Sequence, residues 1–299
     1  MRIEVSMMRQ KEKVHWTFMK VVLLFGLIAY TICLFVPIIW GIITSFKGQA
    51  DFRINVNGLP KEWVWNYKQV YEQFVISVFT DDGTVYIGMG EMLTNSLLYA
   101  VGCAFFSTLI PCITSYLCAR YDYFLSKVIY VIVIVAMILP IVGSLPSEIR
   151  VARAIGAYDH IWGMWLMKAN FLGIYFIVFY NQFKSVPQAY AEAARIDGAG
   201  NWSILLRIML PLARNTFLTV MLIRFIEFWN DYQTPLVYLA TKPTISLGVY
   251  HMAYTTLNEL STIPMRMTAA VIAMVPIMVL FLCCHKRLLG NLTIGGIKG

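Results

Sequence analysis

Charge is what this chain has least of. Aspartate, glutamate, lysine and arginine make up 13% of its 299 residues against 59% hydrophobic residues, and the mean hydropathy is +0.67. A soluble domain of this size needs more polar surface than that, so the composition points to an integral membrane protein. Phosphate chemistry is missing as well: no Gly-Lys dipeptide occurs anywhere, hence no P-loop cradle. The chain therefore supplies no ATP hydrolysis by that route. Neither a Gly-x-Ser-x-Gly elbow nor a His-Glu-x-x-His helix is present, and no enzymatic role is expected. Cys33, Cys103, Cys112, Cys118, Cys283 and Cys284 form no Cys-x-x-Cys and no set with His15, His160, His251 or His285 at metal spacing. They read as small packing residues, and no metal site is expected.

What the chain has in quantity is long apolar runs. Runs able to cross a hydrocarbon core, about 20 residues each, lie at 19–46, 93–118, 128–145, 161–183, 212–228 and 267–284. They predict an all-α membrane fold of six spans covering residues 19–285. An even number of spans puts both termini on one side. Arg2, Arg9, Lys11, Lys13 and Lys20 precede the first span, Arg120 and Lys127 follow the second, Lys184, Arg195, Arg207 and Arg214 follow the fourth, and Lys286 and Arg287 follow the last. All four clusters fall on one face, which the positive-inside rule makes cytoplasmic. The opposite face mixes its lysines with Asp51, Glu62, Glu72, Asp81, Asp82 and Glu91. The net charge of +8 thus reflects membrane topology, with the basic residues dispersed between spans, and no nucleic-acid partner is expected.

Between the spans the expectations are these. Residues 1–18 form a basic cytoplasmic tail, read as a disordered orientation signal in preference to a segment lying against lipid headgroups, and the first apolar run is expected to stay as an anchor because it lacks the short core and cleavage site of a secretory signal. Residues 47–91 form an external loop, with Trp63, Trp65 and Tyr67 as interface anchors. A short helix occupies 144–160, and 232–263, interrupted by Pro235 and Pro243, is re-entrant or surface-lying. Pro37, Pro111, Pro140 and Pro276 fall inside spans and invite kinks.

The most informative stretch is the cytoplasmic loop 184–211. It carries Glu192-Ala193-Ala194, three residues, Gly198, nine residues, then Ile208-Met209-Leu210-Pro211. Ser185 is expected to cap a short helix, Pro187 to suit its first turn and Gly198-Ala199-Gly200 to end it. Ala189 with Ala193, and Tyr190 with Ala194, put small residues beside an aromatic on one face, where another protein's backbone can approach. Glu-Ala-Ala, Gly and Ile-x-Leu-Pro at these spacings resemble the signature loop of permease subunits in binding-protein-dependent ABC importers. Pro60 to Trp65-Asn66-Tyr67, Asn95-Ser96-Leu97, Tyr116 to Ala119-Arg120, Trp229-Asn230-Asp231-Tyr232 and Gly295-Gly296-Ile297-Lys298-Gly299 occur in the same order as in the carbohydrate branch, which is similar to the smaller maltose-transporter permease.

The resemblance implies a six-helix type I importer fold with a cytoplasmic coupling helix. It implies a bacterial or archaeal inner membrane, a sugar or oligosaccharide as solute, and three kinds of partner: a second, similar permease, two ATPase subunits that carry the ATP and Mg²⁺, and an external solute-binding protein. Glu192, Ala193, Ala194, Asp197 and Gly198 are then the ATPase-docking residues. Gly295, Gly296 and Lys298 in the tail 286–299 are a second ATPase contact. For the solute path the candidates are Asn170, Asn215 and the segment Glu227, Trp229, Asn230, Asp231 and Tyr232, because sugars need hydrogen-bonding groups and aromatic faces. Arg224 lies one turn before Glu227, so an internal ion pair, path lining and proton coupling are all open readings. A secondary transporter, a permease for a non-sugar solute and a non-transporting scaffold are the rivals.

Overall fold

The computed structural model describes residues 18–80, 83–139, 143–254 and 262–292. The helix α1 (Phe18–Ser45) is apolar on all sides, and its side chains are exposed from Met19 to Ile39. A helix apolar all round has no inner face, so it suits a bilayer or another chain more than a core of its own. It leads through α2 (Gln49–Ile54) and α3 (Asn66–Gln73) to an antiparallel hairpin, β1 (Val75–Thr80) and β2 (Gly83–Gly88), registered with Val75 opposite Gly88. Then come α4 (Met89–Arg120), α5 (Phe124–Ile138), α6 (Leu145–Ala154), α7 (Ile161–Lys168), α8 (Ile174–Ser185) and α9 (Ala189–Ile196). α10 (Asn201–Ile204) passes through a π-helical turn at Leu205–Met209 and α11 (Leu210–Leu212) into α12 (Arg214–Asn230). The last helices are α13 (Gln233–Tyr238), α14 (Ile245–Tyr254) and α15 (Ile263–Leu292).

The centre of the fold is α4, which packs against α7, α8 and α12. Its buried residues recur as neighbouring pairs every four positions, from Asn95-Ser96 through Tyr99-Ala100, Cys103-Ala104, Ser107-Thr108 and Pro111-Cys112 to Ser115-Tyr116. Most are small, and small residues at this spacing let helix backbones approach closely where no water drives them together. Two of the polar members tie α4 to the start of α14 and the segment before it. Ser96 Oγ donates to Met92 O at 2.8 Å and accepts from Ile245 N at 2.7 Å, while Asn95 Nδ2 donates to Pro243 O at 3.2 Å. α4 thereby caps the start of α14 and holds the 232–254 segment to the bundle.

Two spans differ from expectation. The apolar run 161–183 is broken between α7 and α8, where Gly173 stands at φ +122. The run 128–145 yields only α5, whose 15 residues end at Ile138. Among the described residues four helices are long and apolar enough to cross a membrane, Met19–Ser45, Met89–Arg120, Asn201–Asn230 and Ile263–Cys283. The third extends the expected 212–228 span back through the Ile208–Pro211 motif. Hydropathy reports side-chain polarity and is blind to a backbone break. Pro37, Pro111 and Pro276 sit inside continuous helices; Pro140, like residues 1–17 and 293–299, lies outside the described residues.

The 47–91 stretch is built, with two helices and a hairpin where a loop was expected. Lys47 is fully buried, and its Nζ donates to Asn55 O at 2.7 Å and Val56 O at 3.1 Å. Asn66 Nδ2 donates to the carbonyls of Ser45 and Lys47, both at 2.8 Å. Trp63, Trp65 and Tyr67 gather around Phe46 with ring centroids 5.3–5.7 Å away, yet both tryptophans stay about two-thirds exposed. The expected short helix of 144–160 is α6, and it is tied to the far side of the chain. Asp159 accepts from Thr241 N at 2.9 Å and Thr241 Oγ1 at 2.6 Å, and the Tyr238 hydroxyl donates to Glu148 at 3.1 Å. Burial, with that carboxylate bond, pushes the Tyr238 hydroxyl up to about 12, so it stays a neutral donor at neutral pH.

Gly163 in α7 faces the backbone of Ala157, which a Cβ would strike, whereas Gly26 in α1 has nothing within 4 Å. Gly163→Ala is expected to destabilise the protein by ~1–3 kcal/mol. Gly26→Ala should be neutral or stabilise by up to ~1 kcal/mol. Denaturant unfolding in detergent micelles checks both, and equal effects would contradict this packing.

Candidate functional site

The loop that carries the Glu-Ala-Ala pattern folds as the short helix α9. Ser185 does not cap it: Ser185 Oγ donates back to Gln182 O at 2.8 Å, at the end of α8. Gln188 occupies the N-cap position with no side-chain bond, and its carbonyl accepts from Ala191 N and Glu192 N at 2.9 and 3.1 Å. Glu192 in the first turn complements the helix dipole. The far end closes as a Schellman motif: Gly198 stands at φ +81, its N–H donates to Arg195 O at 3.0 Å, and Ala199 N donates to Ala194 O at 2.8 Å. A glycine is needed there for its backbone, because a Cβ at Gly198 would meet open space.

The helix has an inner and an outer face. Ala191 and Ala194 are buried against Cys112 and Tyr116 of α4, Phe179 and Phe183 of α8, and Ile204, Leu205 and Met209 beyond the loop. Arg120 at the end of α4 donates from Nη2 to Val186 O at 2.7 Å and ties down the entry strand. Tyr116 meets Phe183 edge-on at 5.4 Å. Outward point Tyr190, Glu192, Ala193, Ile196 and Asp197, with Ile196 86% and the neighbouring Trp202 73% exposed. Spacing to Tyr190 sets Ala194 beside the docking residues, and its side chain lies in the buried cluster, 9% exposed. Ile196 and Trp202 were missed. Their signal was available, since each is a large apolar residue flanked by polar or small ones.

The path candidates are dispersed. Asn215, exposed in the first turn of α12, lies about 18 Å along the axis from Glu227 at its other end. Asn170 is exposed in the break between α7 and α8, and its own N–H donates to Lys168 O at 2.9 Å. Trp229 is mostly buried, stacked on Phe225 at 5.6 Å, and donates to Ala273 O at 3.0 Å, so it fastens α12 to α15 beside a cavity of about 310 Å³ that it lines together with Asn230. Asp231 also turns inward. It accepts from the Tyr99 hydroxyl at 2.8 Å and from Thr234 N at 3.0 Å. Asn230 is exposed but donates to Ile226 O of its own helix at 2.9 Å.

Two groups remain open. Arg224 pairs with Glu227 at 2.9 Å, Tyr175 donates to the other oxygen of Glu227 at 3.0 Å, and the guanidinium lies 4.4 Å from the centre of the Tyr175 ring. The expected ion pair is therefore present, with half of the Glu227 side chain exposed. Tyr232 stacks on Tyr250 at 4.4 Å, and Tyr250 meets Tyr254 at 4.7 Å. Tyr250 and Tyr254, one turn apart on α14, extend an aromatic surface of which the sequence reading had only Tyr232. Gly295, Gly296 and Lys298 lie outside the described residues.

Residues 112–291 match the family model described as the binding-protein-dependent transport system inner membrane component. The chain is 24% identical to the diacetylchitobiose uptake system permease protein NgcG of Streptomyces coelicolor, over 91% of this chain and 87% of that one. It is 25% identical to the melibiose/raffinose/stachyose import permease protein MelC of Bacillus subtilis, over 89% and 92%. In three dimensions it is similar to a chain in the crystal structure of a bacterial ABC transporter involved in import of the acidic polysaccharide alginate, with a TM-score of 0.75, 22% identity, and coverage of 91% and 98%. That likeness gives the fold of a type I importer permease, mostly helical as expected.

The two alanines of the signature separate packing from surface. Ala194→Leu overfills the anchor and should destabilise the loop by ~1–3 kcal/mol. Ala193→Leu points outward and should leave the fold unchanged within about 0.5 kcal/mol. Protease cleavage rates across 186–200 in the purified protein read the difference, and equal rates would invert the two faces.

Proposed function

The chain belongs to the family of binding-protein-dependent transport system inner membrane components, and from that premise we propose that it forms one half of the translocation pathway of an ATP-driven sugar or oligosaccharide importer. The other half is a second, similar permease. Two ATPase subunits bind ATP and Mg²⁺ and hydrolyse the nucleotide, and an external binding protein delivers the solute. Both termini and α9 face the cytoplasm. The observation that carries the reading is α9 itself, closed at its far end by Gly198, anchored through Ala191 and Ala194, and presenting Tyr190, Glu192, Ala193, Ile196 and Asp197 outward. The exposed Ile196 fits a socket on an ATPase. Because Arg120 and the buried cluster bind α9 to the ends of α4 and α8, a displacement of α9 reaches both helices as a rigid push, which is the mechanical step of alternating access. The permease performs no covalent chemistry.

The named solutes of the relatives support a sugar. So does the chemistry of the open groups, an aromatic stack at Tyr232, Tyr250 and Tyr254 and a self-neutralised Arg224–Glu227 pair with the Tyr175 hydroxyl. Both suit hydroxylated, uncharged rings.

Ile196→Asp and Glu192→Lys should each lower binding-protein-stimulated ATP hydrolysis and uptake in proteoliposomes by about tenfold, the loss of one good contact, while the subunit stays in the membrane. A thiol at Gln188→Cys should react with an impermeant reagent only from the ATPase side. Wild-type coupling in both variants would sink the docking assignment. For the path, Glu227→Gln and Tyr250→Ala should change the ranking of competing sugars in uptake assays by about tenfold, whereas Trp229→Ala, a packing change, should lower stability for every solute alike. An unchanged ranking in the first two would place selectivity on another subunit.

A further inference from the structure

A cavity of about 840 Å³ opens at the end of the bundle where α4 stops, α5 starts and α8 stops. Its rim holds Arg120, Lys127 and Lys184 against the single carboxylate of Asp122, a net charge of +2. The cations keep spare donors. Lys127 pairs with Asp122 at 3.0 Å with its side chain 71% exposed, and Lys184 Nζ donates to the Tyr180 hydroxyl at 3.3 Å. An ammonium has three donors, so each lysine retains two. Arg120 uses Nη2 on Val186 O and leaves a buried Nε without a partner.

The wall below this rim is of another kind. Tyr130 and Val131 of α5 and Tyr180 of α8 line it, and α5 itself also exposes Phe124, Leu125 and Ile132. A basic rim at helix ends above an apolar wall matches an amphiphile with an anionic head. Free phosphate has no use for the wall, and a neutral lipid has no use for the net charge. We infer that this cavity binds an anionic phospholipid, its phosphate among Arg120, Lys127 and Lys184 and its chains along Tyr130 and Val131. Val186-Pro187-Gln188, the link that leads into α9, also lines the cavity.

The test reads lipid retention directly and is independent of transport. The assembled complex is taken from phosphatidylcholine vesicles, with or without an equal part of phosphatidylglycerol, and its retained lipids are counted by native mass spectrometry. Phosphatidylglycerol should be retained over phosphatidylcholine. Retention should weaken about fivefold for each of Lys127→Gln and Lys184→Gln, the effect of one basic residue at an anionic surface, and should strengthen for Asp122→Asn. Lys68→Gln, outside the cavity, should change nothing. Equal retention in all variants overturns the proposal, as does displacement of the lipid by inorganic phosphate. A photo-crosslink from Tyr130 to another subunit in place of lipid overturns it too.

Discussion

The middle of this molecule is arranged around the close approach of helices to α4. In hydrocarbon no water pushes helices together, and association rests on van der Waals fit and on keeping backbone groups bonded. The small pairs that recur from Asn95-Ser96 to Ser115-Tyr116 admit α7, α8 and α12. Gly102 shows how tight the fit is, since the indole of Trp165 lies where its Cβ would be while Trp165 Nε1 donates to Leu98 O at 3.0 Å. One helix thus serves as the common wall for the rest. By contrast α1 touches chiefly α15 and leaves most of its length bare.

The same helix connects the two ends of the molecule. At one end Ser96, Asn95 and Tyr99 hold α14, Pro243 and Asp231. At the other, Cys112, Tyr116 and Arg120 hold α9 and its entry strand. A continuous helix of 32 residues between them spans about 48 Å. The break between α7 and α8 and the π turn at Leu205–Met209 lie beside this rod, and at both the backbone departs from regular α-helical geometry.

Side-chain chemistry distributes roles by burial more than by type. Glu227 and Asp231 are one turn apart and look equivalent in sequence. Glu227 stays half exposed beside Arg224 and Tyr175, whereas Asp231 turns inward to Tyr99 and Thr234. Ala193 and Ala194 are adjacent, and the 100° step between them puts one at the surface and one in the core. Lys47 reads as a loop charge and is instead a buried clamp for the carbonyls of Asn55 and Val56.

The sequence by itself determined what depends on local composition and spacing. The membrane class followed from the scarcity of charge, the long helices α1, α4, α12 and α15 from apolar runs, the short helix of 144–160 from its polar flanks, and the bounded helix α9 from the Glu-Ala-Ala pattern and Gly198. The Arg224–Glu227 pair followed from helical periodicity. Only the tertiary structure decided which face of α9 is anchored, that Trp229 fastens α12 to α15, that Tyr250 and Tyr254 continue the surface begun by Tyr232, and that 47–91 folds around Phe46 and Lys47. The reason is physical. Hydropathy and helical spacing are properties of neighbours along the chain, whereas inside and outside are set by which distant helix comes close, and in a membrane that is decided by the small residues of α4.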